Sequence, residues 1–235
     1  MTAYDPRITP ANGHAAAHEL RGLVQATRYV KGTVRTVQQP RQEAATHWVA
    51  APATHLYPKG RLKAPPEVAI FFGSQVRVTS DLGDFKKIST GHFIPTGHLQ
   101  PLRARFSDTV GVADMFLGTP YLWGGSSRWG IDCSGLVQAA LVACGLDCPR
   151  DSDQQRGVGR ELHPEEPLQR GDLIFWSGHV GLMSDAKTLL HANAHHMAVA
   201  YEPLVQARNR IAANTDGAEA GTGDIVMRRR PELRS

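Results

Sequence analysis

Three cysteines, Cys133, Cys144 and Cys148, are all that 235 residues carry. So few thiols, and an odd number of them, cannot close the disulfide framework of a small secreted scaffold. No apolar run comes near the roughly 18 residues that a membrane-crossing helix needs, so no membrane span is expected. The first twenty residues show no basic stretch leading into an apolar one; the expectation is a chain without a signal peptide, working in the reducing cytoplasm. No phosphate-cradling glycine loop or dinucleotide fingerprint is present. Cys144 and Cys148 beside His191, His195 and His196 do not make a structural zinc spacing, and no second cysteine pair exists. Neither a metal nor another cofactor is expected. The net charge of +4 is too small to point to a nucleic-acid partner.

The placement of charge says more than its total. Residues 1–106 hold 14 Lys/Arg against 6 Asp/Glu, whereas residues 107–235 hold 12 against 16. Such a shift suggests two modules of different origin. A basic front half could attract an anionic substrate or surface, but a solvated basic face is the better account of it. Residues 1–45 read as a polar arm with a short helix over 15–29. From residue 46 to 103 the texture is β: short runs such as EVAIFF, QVRVTS, FKKIST and HFIPTGHL alternate with glycines, as in a small barrel. The Leu82-Gly83-Asp84 triplet reads as a hairpin turn, and 101–107 as a linker.

Beyond it the periodicity changes. Ser107 or Asp108 caps a helix bearing Val112, Met115 and Phe116, which stops at Gly118-Thr119-Pro120. A second helix runs from Cys133 to Cys144, with Leu136, Val137, Ala140 and Leu141 at helical spacing and Gly145 as its stop. Strands follow at 172–176, 179–184 and in the pair 189–202. A helix is expected over 205–213, a loop over 214–223 and a last strand in DIVMRRR, whose arginines read as a solvated strand end. Asp172 reads as a turn residue.

Cys133 opens its helix directly after a glycine-rich loop. The unpaired N–H groups and positive dipole end of a helix favour a thiolate and can line an oxyanion hole, so this cysteine is placed as a nucleophile. Cys144, in mid-helix, and Cys148 read as packing residues. A thiol nucleophile needs a base, and the base needs an orienting partner. His179 opens one strand, with glycines on either side that leave room for a substrate. His191 lies on the next strand, twelve residues on, close enough across an antiparallel pair.

The ordered blocks P-Y-x-W-G-G (120–125), G-x-D-C-S-G-L-V-Q (130–138), P-R-D-S (149–152), R-G-D-L-I-F-W (170–176), H-V-G (179–181) and H-A (191–192) resemble the NlpC-type family of bacterial cell-wall peptidases. The resemblance covers about residues 107–230 and implies an α+β, papain-like domain over 104–235. It implies Cys133 as nucleophile, His179 as general base and His191 as the polar residue orienting His179. It also implies Tyr121 and Trp123 as pocket walls, and Asp132, Ser134, Asp151 and Ser152 as polar contacts to substrate; Asp151 and Ser152 also suit a helix cap. The substrates implied are peptidoglycan stem peptides (muropeptides), cut between γ-D-glutamate and the next diamino acid, diaminopimelate or Lys. Residues 46–103, through F-K-K-I-S-T-G-H-F-I-P-T-G-H-L, resemble the bacterial SH3-like barrels fused to such peptidases. Relatives with two barrels admit only short peptides with a free N-terminal L-alanine; one barrel here leaves that requirement open. Two other readings remain: a lytic endopeptidase of the intact wall, and a stem-peptide-binding module without catalysis. Neither the choice of diamino acid nor the oligomeric state is legible.

Overall fold

The computed structural model describes residues 44–213 and 225–232. The expected N-terminal arm with its short helix, and the loop after residue 213, fall outside them, apart from the arm's last two residues. The chain divides into two compact units between Ala104 and Arg105.

The first unit is all β among its described residues. Its strands are β1 (His47–Val49), β2 (Ala53–Leu56), β3 (Val68–Phe71), β4 (Gln75–Val76), β5 (Val78–Asp81), β6 (Phe85–Ile88) and β7 (Phe93–Pro95). A 3-10 turn (Thr96–His98) leads into β8 (Leu99–Pro101). They pair as three small antiparallel sheets, β4-β1-β8, β2-β3 and β5-β6-β7. Alternation sends Val49, Leu56, Ile70, Val76, Ile88, Ile94 and Leu99 into one core. The run QVRVTS, read as one strand, is split into β4 and β5, and β5 carries a register shift between Val78 and Ser80. At the β5–β6 hairpin Gly83 has φ +80° and its N–H donates to Asp81 Oδ1 at 3.1 Å, which is the turn expected there.

The second unit begins with α1 (Thr109–Asp114), capped by Asp108, whose carboxylate accepts from the Val110 N–H. Met115 and Phe116 lie in the turn beyond it, so the helix is shorter than its apolar spacing suggests. A small hairpin, β9 (Ser126–Ser127) and β10 (Gly130–Ile131), leads into α2 (Cys133–Ala143). Gly145, at φ +86°, ends that helix where the sequence places its stop. Next come α3 (Ser152–Gln155), β11 (Arg160–Glu161), β12 (Leu173–Trp176), β13 (His179–Met183), β14 (Thr188–Asn193), β15 (Ala198–Pro203), α4 (Leu204–Ala213) and β16 (Met227–Arg230). The strands form one antiparallel sheet in the order β11-β16-β12-β13-β14-β15. Ala207 and Ile211 of α4 pack on Ile174, Trp176, Met183 and Leu189 of that sheet.

The arginines of β16 are not a solvated strand end. Arg230 holds both carboxylate oxygens of the buried Asp172 at 2.7 and 2.8 Å and reaches Glu166 at 2.9 Å. Arg228 and Arg229 donate to the carbonyls of Pro164 and Val158. Asp172 also accepts from the Gln169 N–H at 2.8 Å, so it holds the turn before β12 and fastens β16 to it.

Candidate active site

The glycine-rich loop before α2 is held by one buried cluster. Asp132 N-caps α2, accepting from the Gly135 N–H at 2.7 Å, and its other oxygen accepts from the Gly124 N–H at 2.8 Å. Arg150 donates to Asp132 Oδ2 at 2.7 Å, to the Gly125 carbonyl at 2.9 Å and to Ser134 Oγ at 2.8 Å. The Ser134 hydroxyl in turn points at Asp132 Oδ1, 3.3 Å away. A carboxylate has about four acceptor positions, and all those of Asp132 are engaged within the protein. This arrangement gives Asp132 and Ser134 the task of shaping the loop, with no acceptor position of Asp132 left to offer a ligand. Gly135 is required for the same close packing: a Cβ there would stand 2.5 Å from the Gly125 carbonyl oxygen.

Cys133 is thereby fixed at the first turn of α2, buried, with the backbone N–H groups of Val180 and Ser134 facing its sulfur. Those donors and the Arg150 charge favour the thiolate. Burial and the neighbouring Asp132 outweigh them and push the thiol up to about 12. The pull of the helix end toward the thiolate, read from the sequence, is therefore opposed by burial. His179, also buried, is held well below the ordinary imidazole value by burial first and then by His191 and Arg210. Burial thus works against charging either group alone. A proton passing from Cys133 to His179 creates opposite charges together, which costs less than burying either ion alone.

The sheet register brings His179 to His191. Leu182 pairs with Leu190 and Met183 with Leu189, which runs on to set Gly181 beside His191, with His179 two residues away on the same face. His179 Nε2 lies 2.9 Å from His191 Nδ1, leaving His179 Nδ1 as the nitrogen available to a thiol. The smallness of Gly181 serves this packing, not the room for substrate read from the sequence. A Cβ on Gly181 would meet Leu189 Cδ1 at 2.8 Å and His191 Cβ at 3.1 Å.

The other expected site residues are spread around this centre. Tyr121 is half-buried beside the glycine loop, its N–H donating to the Met197 carbonyl. Trp123 is 75% exposed, so it is no core aromatic, and Trp129, in the turn of the β9–β10 hairpin, is 70% exposed. Asp151 takes the N-cap position of α3 with an exposed side chain that makes no capping hydrogen bond, and Ser152 starts that helix half-buried. Cys144 and Cys148 are free thiols away from this centre.

The sequence pattern of the NlpC/P60 family matches residues 118–214, the stretch that holds these groups. Over 108 residues the chain is 36% identical to the probable endopeptidase NlpC of Escherichia coli, covering 40% of this chain and 70% of that protein. The chain belongs to the NlpC/P60 family. It is also 29% identical over 158 residues to the gamma-D-glutamyl-L-lysine dipeptidyl-peptidase of Bacillus subtilis, covering 61% of this chain. The chain spans about half, 52%, of that relative's length. A solved NlpC/P60 family protein from Bacillus cereus superposes with a TM-score of 0.63 at 24% identity, covering 80% of this chain and 63% of that one. This likeness shows the papain-like NlpC/P60 fold.

In this NlpC/P60 chain three residues that sequence reasoning missed complete the site: Arg150, Glu202 and Arg210. Glu202 Oε2 lies 2.9 Å from His191 Nε2, and Arg210 donates to both Glu202 oxygens at 3.1 and 2.9 Å. Burial pushes Glu202 up, yet the hydrogen bonds from His191 and Arg210 outweigh it and hold the carboxyl well below its usual range. The only signal in the sequence was a single acidic residue in the alternating run AVAYEP. Among the described residues, His191, His196 and Glu202 bring ligand atoms within 4.8 Å of one another. A metal ion there would compete with the Arg210 guanidinium and the His191 ring for Glu202.

Proposed function

We propose that this chain is a cysteine peptidase that hydrolyses the bond between γ-D-glutamate and the following diamino acid in peptidoglycan stem peptides. The observation that carries the reading is the buried His179–His191 hydrogen bond beside a helix-start cysteine whose sulfur faces the Val180 amide. His179 Nδ1 takes the Cys133 proton as sulfur attacks the amide carbonyl. Of the first backbone N–H groups of α2, Gly135's is taken by Asp132, while those of Cys133 and Ser134 have no partner in the helix ladder and can hold the oxyanion. His179 then returns the proton to the leaving amine, and water hydrolyses the thioester. Tyr121 and Trp123 form the pocket walls, and the exposed Asp151 carboxylate and Ser152 contribute polar contacts. Asp132 and Ser134 act through the loop they hold. The front unit is an SH3-like barrel.

The proposed setting is trimming of soluble muropeptides in recycling. The names of the relatives, dipeptidyl-peptidases on one side and endopeptidases on the other, support the chemistry and leave two substrate sizes to separate. Mass spectrometry of L-Ala-γ-D-Glu-diaminopimelate, of its N-acetylated form and of intact sacculi separates them. Cleavage of the free-amine peptide is expected, and its loss on acetylation would mark a dipeptidyl-peptidase. Cleavage of the acetylated peptide or of sacculi would make this a wall endopeptidase. Cys133→Ala is expected to lose turnover by about 10⁴-fold or more while keeping its fold. Binding of peptide by the unaltered chain with no product over hours would leave a binding module.

A further inference from the structure

His179, His191 and Glu202 stand on three consecutive strands, β13, β14 and β15. In the β14–β15 register Leu189 is opposite Glu202 and His191 opposite Ala200, so Glu202 is a diagonal same-face neighbour of His191. This face is the one α4 covers, which explains how Arg210 reaches Glu202. We propose that Glu202 and Arg210 are a positioning pair that fixes His191 as its uncharged Nε2–H tautomer, so that His191 presents a lone pair to His179. The consequence for catalysis rests on the peptidase reading above; the tautomer itself does not.

An ionised carboxylate only accepts hydrogen bonds, so the proton between His191 and Glu202 belongs to His191 Nε2. A neutral imidazole protonated at Nε2 has Nδ1 as its acceptor. That Nδ1 faces His179 Nε2, which must therefore donate. The donors run in one direction, and His179 Nδ1 is left as the lone pair for the Cys133 proton. Arg210 has a separate task. A buried carboxylate without a counter-charge would draw a second proton onto His191, turning Nδ1 from acceptor into donor. His179 would then have to turn its own Nε2 into an acceptor and carry its proton on Nδ1, the wrong nitrogen for a base. The two hydrogen bonds from Arg210 supply that counter-charge.

The ionisable groups around His191 are His179 on β13, Glu202 on β15 with Arg210 of α4 bonded to it, and His196 in the turn before β15. Asp114, the one ionisable residue of α1, is engaged by the Tyr201 hydroxyl at 2.7 Å.

The test is the imidazole nitrogen spectrum of the nitrogen-15-labelled full chain, with His191 assigned through His191→Gln. At about pH 7 the unaltered chain is expected to show His191 protonated at Nε2 alone. Arg210→Met is expected to raise the pH at which His191 takes its second proton, because the uncompensated Glu202 charge favours the imidazolium. Glu202→Ala is expected to lose the Nε2 preference. An unaltered chain with His191 protonated at Nδ1, or doubly protonated, overturns the proposal and requires no variant to fold. So does a Glu202→Ala protein with unchanged His191 signals. In peptide cleavage, Glu202→Ala is expected to lose kcat by about 10²-fold with KM within about twofold. Glu202→Gln, whose carbonyl oxygen can still accept from Nε2–H, is expected to recover part of it. A change confined to KM overturns the positioning role. If the unaltered chain cleaves nothing, the peptidase reading fails while the nitrogen spectrum still decides this one.

Discussion

The two units bury different things. Between β1 and β8 the core is aliphatic, and its only buried polar residues among those described are Thr54 and Ser74. The second unit buries Asp132, Arg150, Asp172, His179, His191 and Glu202. Aliphatic burial stabilises without chemistry, whereas a buried ion is tolerated only when paired. Asp132 has Arg150, Asp172 has Arg230, and Glu202 has Arg210. Cys133 and His179 are the exception: burial works against charging either, and neither has an arginine or carboxylate bonded to it among the described residues. The chemistry sits where the pairing stops.

The contrast breaks most sharply at Arg150. Arg150→Met leaves Asp132 buried and unpaired, and is expected to cost about 3–5 kcal/mol, read by denaturant unfolding of the second unit. A cost under about 1 kcal/mol would mean that Asp132 is solvated or protonated. In the first unit Leu56→Ala is expected to cost about 2–5 kcal/mol through the cavity it leaves. Amide exchange across residues 47–101 measures it, and that cost should be independent of pH. The smallest effect sharpens the difference between the units. His179 has a folded pKa below its unfolded 6.5, so the unfolded state binds more protons as pH falls, and stability is lost below about 6.5. Cys133 has a folded pKa raised from 9.0 to about 12, so stability is lost as pH rises above about 9. Each group contributes at most about 1.4 kcal/mol per pH unit inside its window. The melting transition of the second unit should therefore be flat between those limits and fall outside them. Cys133→Ala should reduce the alkaline loss.

Much of this was legible because it is local. The cap at Asp108, the stop at Gly145, the helix starting at Cys133 and the strands carrying His179 and His191 depend on residues within a turn or two of each other. What stayed hidden depends on register and on chain return. Glu202 meets His191 only once β14 and β15 pair in one register, and Arg210 joins them only if α4 folds back over that face. Arg150 stands in the P-R-D-S block with no visible partner until the chain after α2 turns inward to the glycine loop. The arginines of β16 look solvated because their partners lie about 60–70 residues earlier.

The place of β16 in the sheet has a consequence for synthesis. It lies between β11 and β12, although it is the last described strand to be made. While a ribosome is still reading the codons before Met227, β12 has one edge open and Asp172 has no arginine beside it. Cys133, His179, His191, Glu202 and Arg210 have all been made by then, but the sheet that holds them is unfinished. Long-range pairing of this kind is slow and exposes strand edges meanwhile. The nascent chain thus carries every residue of the proposed site before it has a finished scaffold to hold them.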